Sequence, residues 1–117
     1  MADWAKTTLI RKVLIHLRVL AAGQSSRAED SALVSDLIDS KHDELQGRGM
    51  APFTTDAIPT WAQEPLVAIV GFAAAPKFGY TGQRLLEKRS EAMAGEIELR
   101  RQLYSKGHPV PVRYEYF

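Results

Sequence analysis

Apolar residues recur three and four positions apart through most of this chain, the spacing of helices that bury one face. In the first such segment, from about Trp4 to Ala22, Leu9, Ile10, Val13, Leu14, Leu17, Leu20 and Ala21 share a face. Lys6, Arg11, Lys12 and Arg18 lie elsewhere around it, and Gly23 ends it. Ser26 and Glu29 have the spacing of a capping box and open a second helix reaching about Gly47, with Leu33, Leu37, Ile38 and Leu45 inward. A last helix from about Gln83 to Lys106 carries Leu85, Leu86, Ala92, Met93, Ile97, Leu99, Leu103 and Tyr104 as one apolar stripe. Arg84, Glu87, Lys88, Arg89, Glu91, Glu98, Arg100 and Arg101 form its mixed-charge outer face. At 1.5 Å per residue this helix is about 36 Å long, comparable with the diameter of the whole domain.

Between the second and last helices the pattern changes. From Leu66 to Ala75 no residue is charged, yet the run is far short of the ~20 apolar residues that a bilayer crossing needs. Ala62, Leu66, Ile69, Val70 and Ala73 fall at helical spacing, and Val67 and Phe72 widen the stripe until the helix is apolar on nearly every side. Such a helix belongs at the centre of a bundle. Thr60 and Gln63 have the form of a capping box, but Pro65 lacks the amide that would bond back to Trp61. Either the first turn is irregular or the helix begins around Glu64. Pro76 loosens the last turn, and Gly79 closes it.

Two segments leave the helical period. Residues 47–56, GRGMAPFTTD, read as a connection, and its Met50 and Phe53 either meet a partner or lie over the chain's own core. In the tail, residues 108–117, Val110, Val112, Tyr114 and Tyr116 alternate strictly before Phe117, the mark of an extended segment with one apolar face. Its two prolines restrict it to a sheet edge or an extended docking peptide. The predicted fold is all-α, a small bundle of about four helices with a long C-terminal helix and an extended C-terminal tail. Residues 1–107 make the helical domain and 108–117 the docking tail.

Composition narrows the function. Fifteen basic residues against fourteen acidic ones leave a net charge of +1, without the excess expected of a protein whose task is to grip phosphates. The absence of cysteine removes disulfides, thiolate metal sites and thiol catalysis. The opening MADWAKTT has no secretory pattern, so the protein is expected to be made in the cytoplasm, with no membrane partner. The outer face of the second helix is acidic, with Glu29, Asp30, Asp36, Asp39, Asp43 and Glu44, and an antiparallel hairpin would set it against the basic first helix. His42 lies among these carboxylates without a recognisable metal or acid–base pattern, so neither catalytic residues nor a cofactor or metal is expected. The basic face of the first helix is open to two readings, a solvated face or a nucleic-acid contact.

Taken in order, several stretches resemble the head-to-tail adaptor family of tailed bacteriophages, also called tail accessory or packaged-DNA-stabilising proteins. They are Leu9-Ile10-Arg11-Lys12-Val13-Leu14, the break Ala22-Gly23-Gln24-Ser25-Ser26 with Ala28-Glu29-Asp30 behind it, the Leu33 to Asp39 helix, and Ile58-Pro59 leading into an apolar helix that ends Pro76-Lys77-Phe78-Gly79. The resemblance covers roughly residues 6–79. The chain departs from the family where an aromatic residue often follows the second helix; Ser40-Lys41-His42 stands there. The resemblance implies a structural virion protein at the head–tail junction, a ring (usually a dodecamer) beneath the portal that closes the filled head and offers the tail its attachment surface. Its implied partners are copies of itself, the portal protein, a downstream tail or nozzle protein, and packaged DNA that passes without sequence-specific binding. Asp36, Asp39 and Asp43 are then candidates for the channel wall. Val110, Val112, Tyr114, Tyr116 and Phe117 are candidates for docking on the portal or a neighbour, and Met50 and Phe53 for a contact with the tail or a neighbour. The alternative is a small helical nucleic-acid-binding regulator that uses the basic first helix.

Overall fold

A computed structural model describes residues 2–21 and 23–107. Four helices, α1 (Lys6–His16), α2 (Ala28–Gly47), α3 (Thr60–Ala74) and α4 (Gly82–Ser105), make an all-α fold, with a single 3-10 turn (Ala75–Phe78) joining α3 to α4. Among the described residues the one strand-like pairing is an isolated antiparallel bridge. Trp4 donates its amide to the Ile58 carbonyl at 2.9 Å and Ile58 donates back at 2.8 Å. The tail with Val110, Val112, Tyr114, Tyr116 and Phe117 lies outside the described residues.

Helix α3 takes the central position that its apolar surround demands, packing against α1, α2 and α4. Ala62, Leu66, Ile69, Val70 and Ala74 are buried along it, and the core extends from them to Leu9, Val13 and Leu14 of α1, Val34, Ile38 and Leu45 of α2, and Leu99 and Leu103 of α4. The α3–α4 contact is the most extensive, and a glycine sets its closeness. A Cβ on Gly95 would meet the Pro65 carbonyl oxygen at 3.1 Å and the Ala68 Cβ at 3.3 Å, so only glycine lets the two backbones approach this far without a shift. At 24 residues, or about 36 Å, the last helix is comparable in length with the 41 Å longest dimension of the molecule.

The helix ends depart from expectation in instructive ways. α3 is helical from Thr60 with Pro65 inside it, so the helix begins before the proline. Its N-cap is Pro59, with no side-chain cap, and Gln63 does not return to Thr60. Gln63 is buried and donates instead to the Ala2 and Ile58 carbonyls at 3.1 and 3.2 Å, tying the N-terminal arm to the helix. The second expected box is absent too. Arg27 is the N-cap of α2, while the Ser26 hydroxyl bonds to the Ser31 hydroxyl at 2.7 Å. The C-terminal end of α3 follows its sequence signal, with Gly79 left-handed at φ 87° and the Tyr80 amide donating to the Ala75 carbonyl.

α1 stops at His16, well short of Ala22. Arg18 takes the left-handed conformation (φ 61°), and the Arg18 and Val19 amides close on the Ile15 and Leu14 carbonyls, both at 3.0 Å. This is the double closure that usually falls to glycine, so the sequence carried no stop signal at that point. At the other end, the bridge to Ile58 holds Trp4 outside the helix. In α2 the inward positions include Val34 with Ile38 and Leu45, whereas Leu33 and Leu37 are only half-buried.

Candidate functional site

The outer face of α4 is the most unusual surface of the molecule. Leu86, Met93, Ile97 and Tyr104 were all expected in the buried stripe, but they are 53%, 55%, 63% and 74% exposed. At about 100° per residue they project within roughly 20° of one line, away from Ala92, Gly95, Leu99 and Leu103, which face α3. The helix is therefore apolar on two sides, and its own domain covers only one. Where Ile97 and Tyr104 approach Arg100, Arg101 and Ser105, a shallow apolar groove of about 480 Å³ opens. Its charged border is hydrogen-bonded. Arg101 donates to both carboxylate oxygens of Glu98 at 2.9 and 2.6 Å, and Gln102 donates to one of them at 3.0 Å. The Arg101 bond above all, then that from Gln102, lowers the Glu98 carboxyl to about 2.

A second, polar surface lies where α1 ends beside the start of α4. Tyr80 is buried, and its hydroxyl donates to the Leu17 carbonyl at 2.7 Å, fixing the exit of α1. The Arg84 guanidinium stacks over the Tyr80 ring at 4.3 Å, and Arg18, Glu87 and Lys88 complete a pocket of about 190 Å³. Below it His16 Nε2 lies 3.1 Å from Glu91 Oε1 and 3.4 Å from Lys88 Nζ. Gly71 makes room for that imidazole, since a Cβ there would meet His16 Cδ2 at 3.0 Å. Lys88 and His16 share the Glu91 carboxylate, and the arrangement reads as a strut between α1 and α4.

The other residues singled out in the sequence fall in three places. Asp36, Asp39 and Asp43 are all exposed on α2. Asp39 accepts from Lys6 at 2.7 Å, the ion pair that joins the basic α1 to the acidic α2. Met50 is fully buried in the domain's own core, which corrects its reading as a contact residue for another protein. Its amide donates to the Leu45 carbonyl at 2.8 Å as α2 closes. Phe53 is half-buried and packs edge-on against Trp61 with ring centroids 5.7 Å apart, while the Phe53 carbonyl lies 2.6 Å from His42 Nε2. The 47–56 connection thus lies over its own core. Among the described residues no cluster of three His, Asp or Glu side chains is placed to hold a metal ion, and no helix is long and apolar enough to cross a membrane.

Compared with protein-family models, with curated proteins and with solved structures, the chain gives no match. Among the described residues, fold and surface together define a small all-α domain with a closed core and an exposed apolar face on α4.

Proposed function

We propose that this chain is a structural adaptor of a tailed bacteriophage, assembled as a ring between the portal and the tail. The observation that carries the reading is the α4 stripe. A core that closes around α3 leaves four large apolar side chains largely exposed on one line of the longest helix, and such an alignment of exposed apolar side chains favours protein contact. The reading also draws on the resemblance over roughly residues 6–79, which run as a short basic helix, a break, an acidic helix and a proline-led apolar helix. On this reading the partners are copies of the chain in a ring, the portal protein, and a downstream tail or nozzle protein, and the protein resides in the virion at the head–tail junction. Asp36, Asp39 and Asp43 are assigned to the channel wall, where exposed carboxylates would repel passing DNA. The tail from His108 is assigned to portal docking. No catalytic residue or cofactor is proposed.

The nucleic-acid-binding alternative has less support. Of the cations on α1, Lys6 is committed to Asp39, Arg11 donates to the Gln24 carbonyl, and Lys12 lies over the Trp4 ring. Electron microscopy of the purified protein, alone and mixed with portal rings of the same virus, tests the proposal. A ring of density on the portal's tail-facing side is expected. Failure to bind the portal, together with steeply salt-dependent affinity for free duplex DNA, would replace it with the regulator.

A further inference from the structure

We infer that the uncovered face of α4 is a self-complementary contact, on which a second copy of this chain packs antiparallel about a two-fold axis. The inference rests on the stripe being a protein-contact surface and not on the adaptor reading, so it concerns the free protein. Its ground is the spacing of the exposed side chains. Leu86 and Tyr104 are equidistant from position 95, and so are Met93 and Ile97. Turned end over end, the helix therefore presents the same apolar positions again. Leu86 of one copy meets Tyr104 of the other, Met93 meets Ile97, and each pairing recurs by symmetry at the far end. That is the defining property of a two-fold interface. A parallel arrangement in register would instead stack each residue on itself.

The dimensions suit a helix pair. The stripe runs about 27 Å along the axis, and the exposed parts of its four apolar side chains come to roughly 500 Å² per copy. A pair would remove about 1,000 Å², at the lower edge of what specific association requires, so the dimer is expected to dissociate in the micromolar range. The charges along the two edges do not decide the pairing. Glu87 of one copy falls beside Arg101 of the other, whereas on the opposite edge Arg89 falls beside Arg100. Apolar contact therefore sets the affinity, and added salt should leave the dimer intact.

Sedimentation of the full chain over a concentration series reads the association directly. Wild type should pass from monomer to dimer, and Ile97→Glu should stay monomeric with unchanged helicity, because Ile97 lies outside the buried core. The geometry is read by cross-linking, since the chain has no cysteine of its own. With Leu86→Cys and Tyr104→Cys made as separate proteins, the mixture should form the mixed disulfide under mild oxidation, while neither protein alone should form a linked dimer efficiently. In the antiparallel pair two copies of position 86 lie about 27 Å apart. Three results would overturn the inference: a full chain still monomeric at roughly 100 μM, a dimer indifferent to Ile97→Glu, or Leu86→Cys linking to itself as readily as to Tyr104→Cys. The first would leave the stripe to residues 108–117 or to a different protein.

Discussion

α3 and α4 meet along one seam, yet they solve opposite problems. α3 is apolar nearly all round and is surrounded on every side that matters, with Leu66, Ile69, Val70 and Ala74 buried among the other helices. α4 has a thinner inward stripe in which Ala92 and Gly95 carry much of the contact, and it spends its largest apolar side chains on the outside. Ala92 and Gly95 stand beside Leu99 and Leu103 on the inside, yet four more large apolar side chains face outward, where a surface helix usually carries polar ones. The inner face of α4 is shaped for closeness, while the outer face stays exposed among the described residues.

The sharpest test of this contrast is a matched pair of charges. Ile69→Asp places a carboxylate without a partner in the centre of the core, at a cost of several kcal/mol against a total stability of about 5–15. The variant should be lost from the folded soluble fraction. Ile97→Asp makes the same chemical change on α4 and should move stability by no more than about 0.5 kcal/mol, since the residue already stands in water. Thermal unfolding followed by circular dichroism measures both. Equal losses at the two positions would mean that the outer stripe is covered within the monomer.

The next effect lies at the seam. Gly95→Val would drive methyl groups into the Pro65 carbonyl and Ala68, which belong to a packed helix backbone and cannot swing aside, so a loss of about 1–3 kcal/mol is expected. Gly95→Ala should cost much less. Its single methyl requires a shift of a few tenths of an ångström, and the gain of about 1 kcal/mol in helix propensity offsets it. If valine is tolerated as well as alanine, the approach of α3 and α4 does not depend on that glycine.

A smaller loss is expected from Tyr80→Phe, which removes the hydroxyl that donates to the Leu17 carbonyl and leaves a buried acceptor unpaired. About 1–2 kcal/mol should be lost, as read from denaturant midpoints at constant slope. The ring and its contact with Arg84 remain. The inside of the molecule should thus answer to single atoms, while the outer stripe tolerates whole side chains.

These features differ in how plainly the sequence announces them. Proline and glycine punctuation with an uncharged run made α3 and its end at Gly79 legible, and the long repeat made α4 legible to within a residue at each end. The premature stop of α1 was not, because Arg18 occupies a conformation for which sequence reading looks to glycine or asparagine. Ser26 and Thr60 have the right chemistry for caps, but hydrogen bonds elsewhere and the pull of the Trp4–Ile58 bridge set the helix starts. The candidate site was half legible. Leu86, Met93, Ile97 and Tyr104 stood out as apolar, but both arcs of α4 repeat every 3.6 residues, and periodicity alone cannot say which arc meets the core. The discriminating signal was Gly95 in mid-helix on the opposite arc, where an isolated glycine points to close packing. Met50 stayed open between two readings for a related reason: an apolar residue in a loop looks available until the chain's own path buries it.

The smallest effect concerns the border of the outer stripe, and asks whether that face is ordered before any partner arrives. Glu98 is held to about 2 from its ordinary 4.5, first by the hydrogen bonds from Arg101 and then by that from Gln102. Because the folded value lies below the unfolded one, the pair favours the folded state above pH 4.5, and this contribution fades as the pH falls from there through 2. The group lies at the surface and is screened by solvent, so global stability is a poor reporter and the carboxyl itself should be followed by NMR titration. A midpoint near 2 is expected in the wild type, and Arg101→Gln should raise it toward 4.5 while leaving the melting temperature nearly unchanged. A wild-type midpoint already at 4.5 would show the Glu98–Arg101 fork to be open in solution. The apolar stripe would then lack an ordered rim, and any partner would have to bear the entropy of fixing those side chains as it binds.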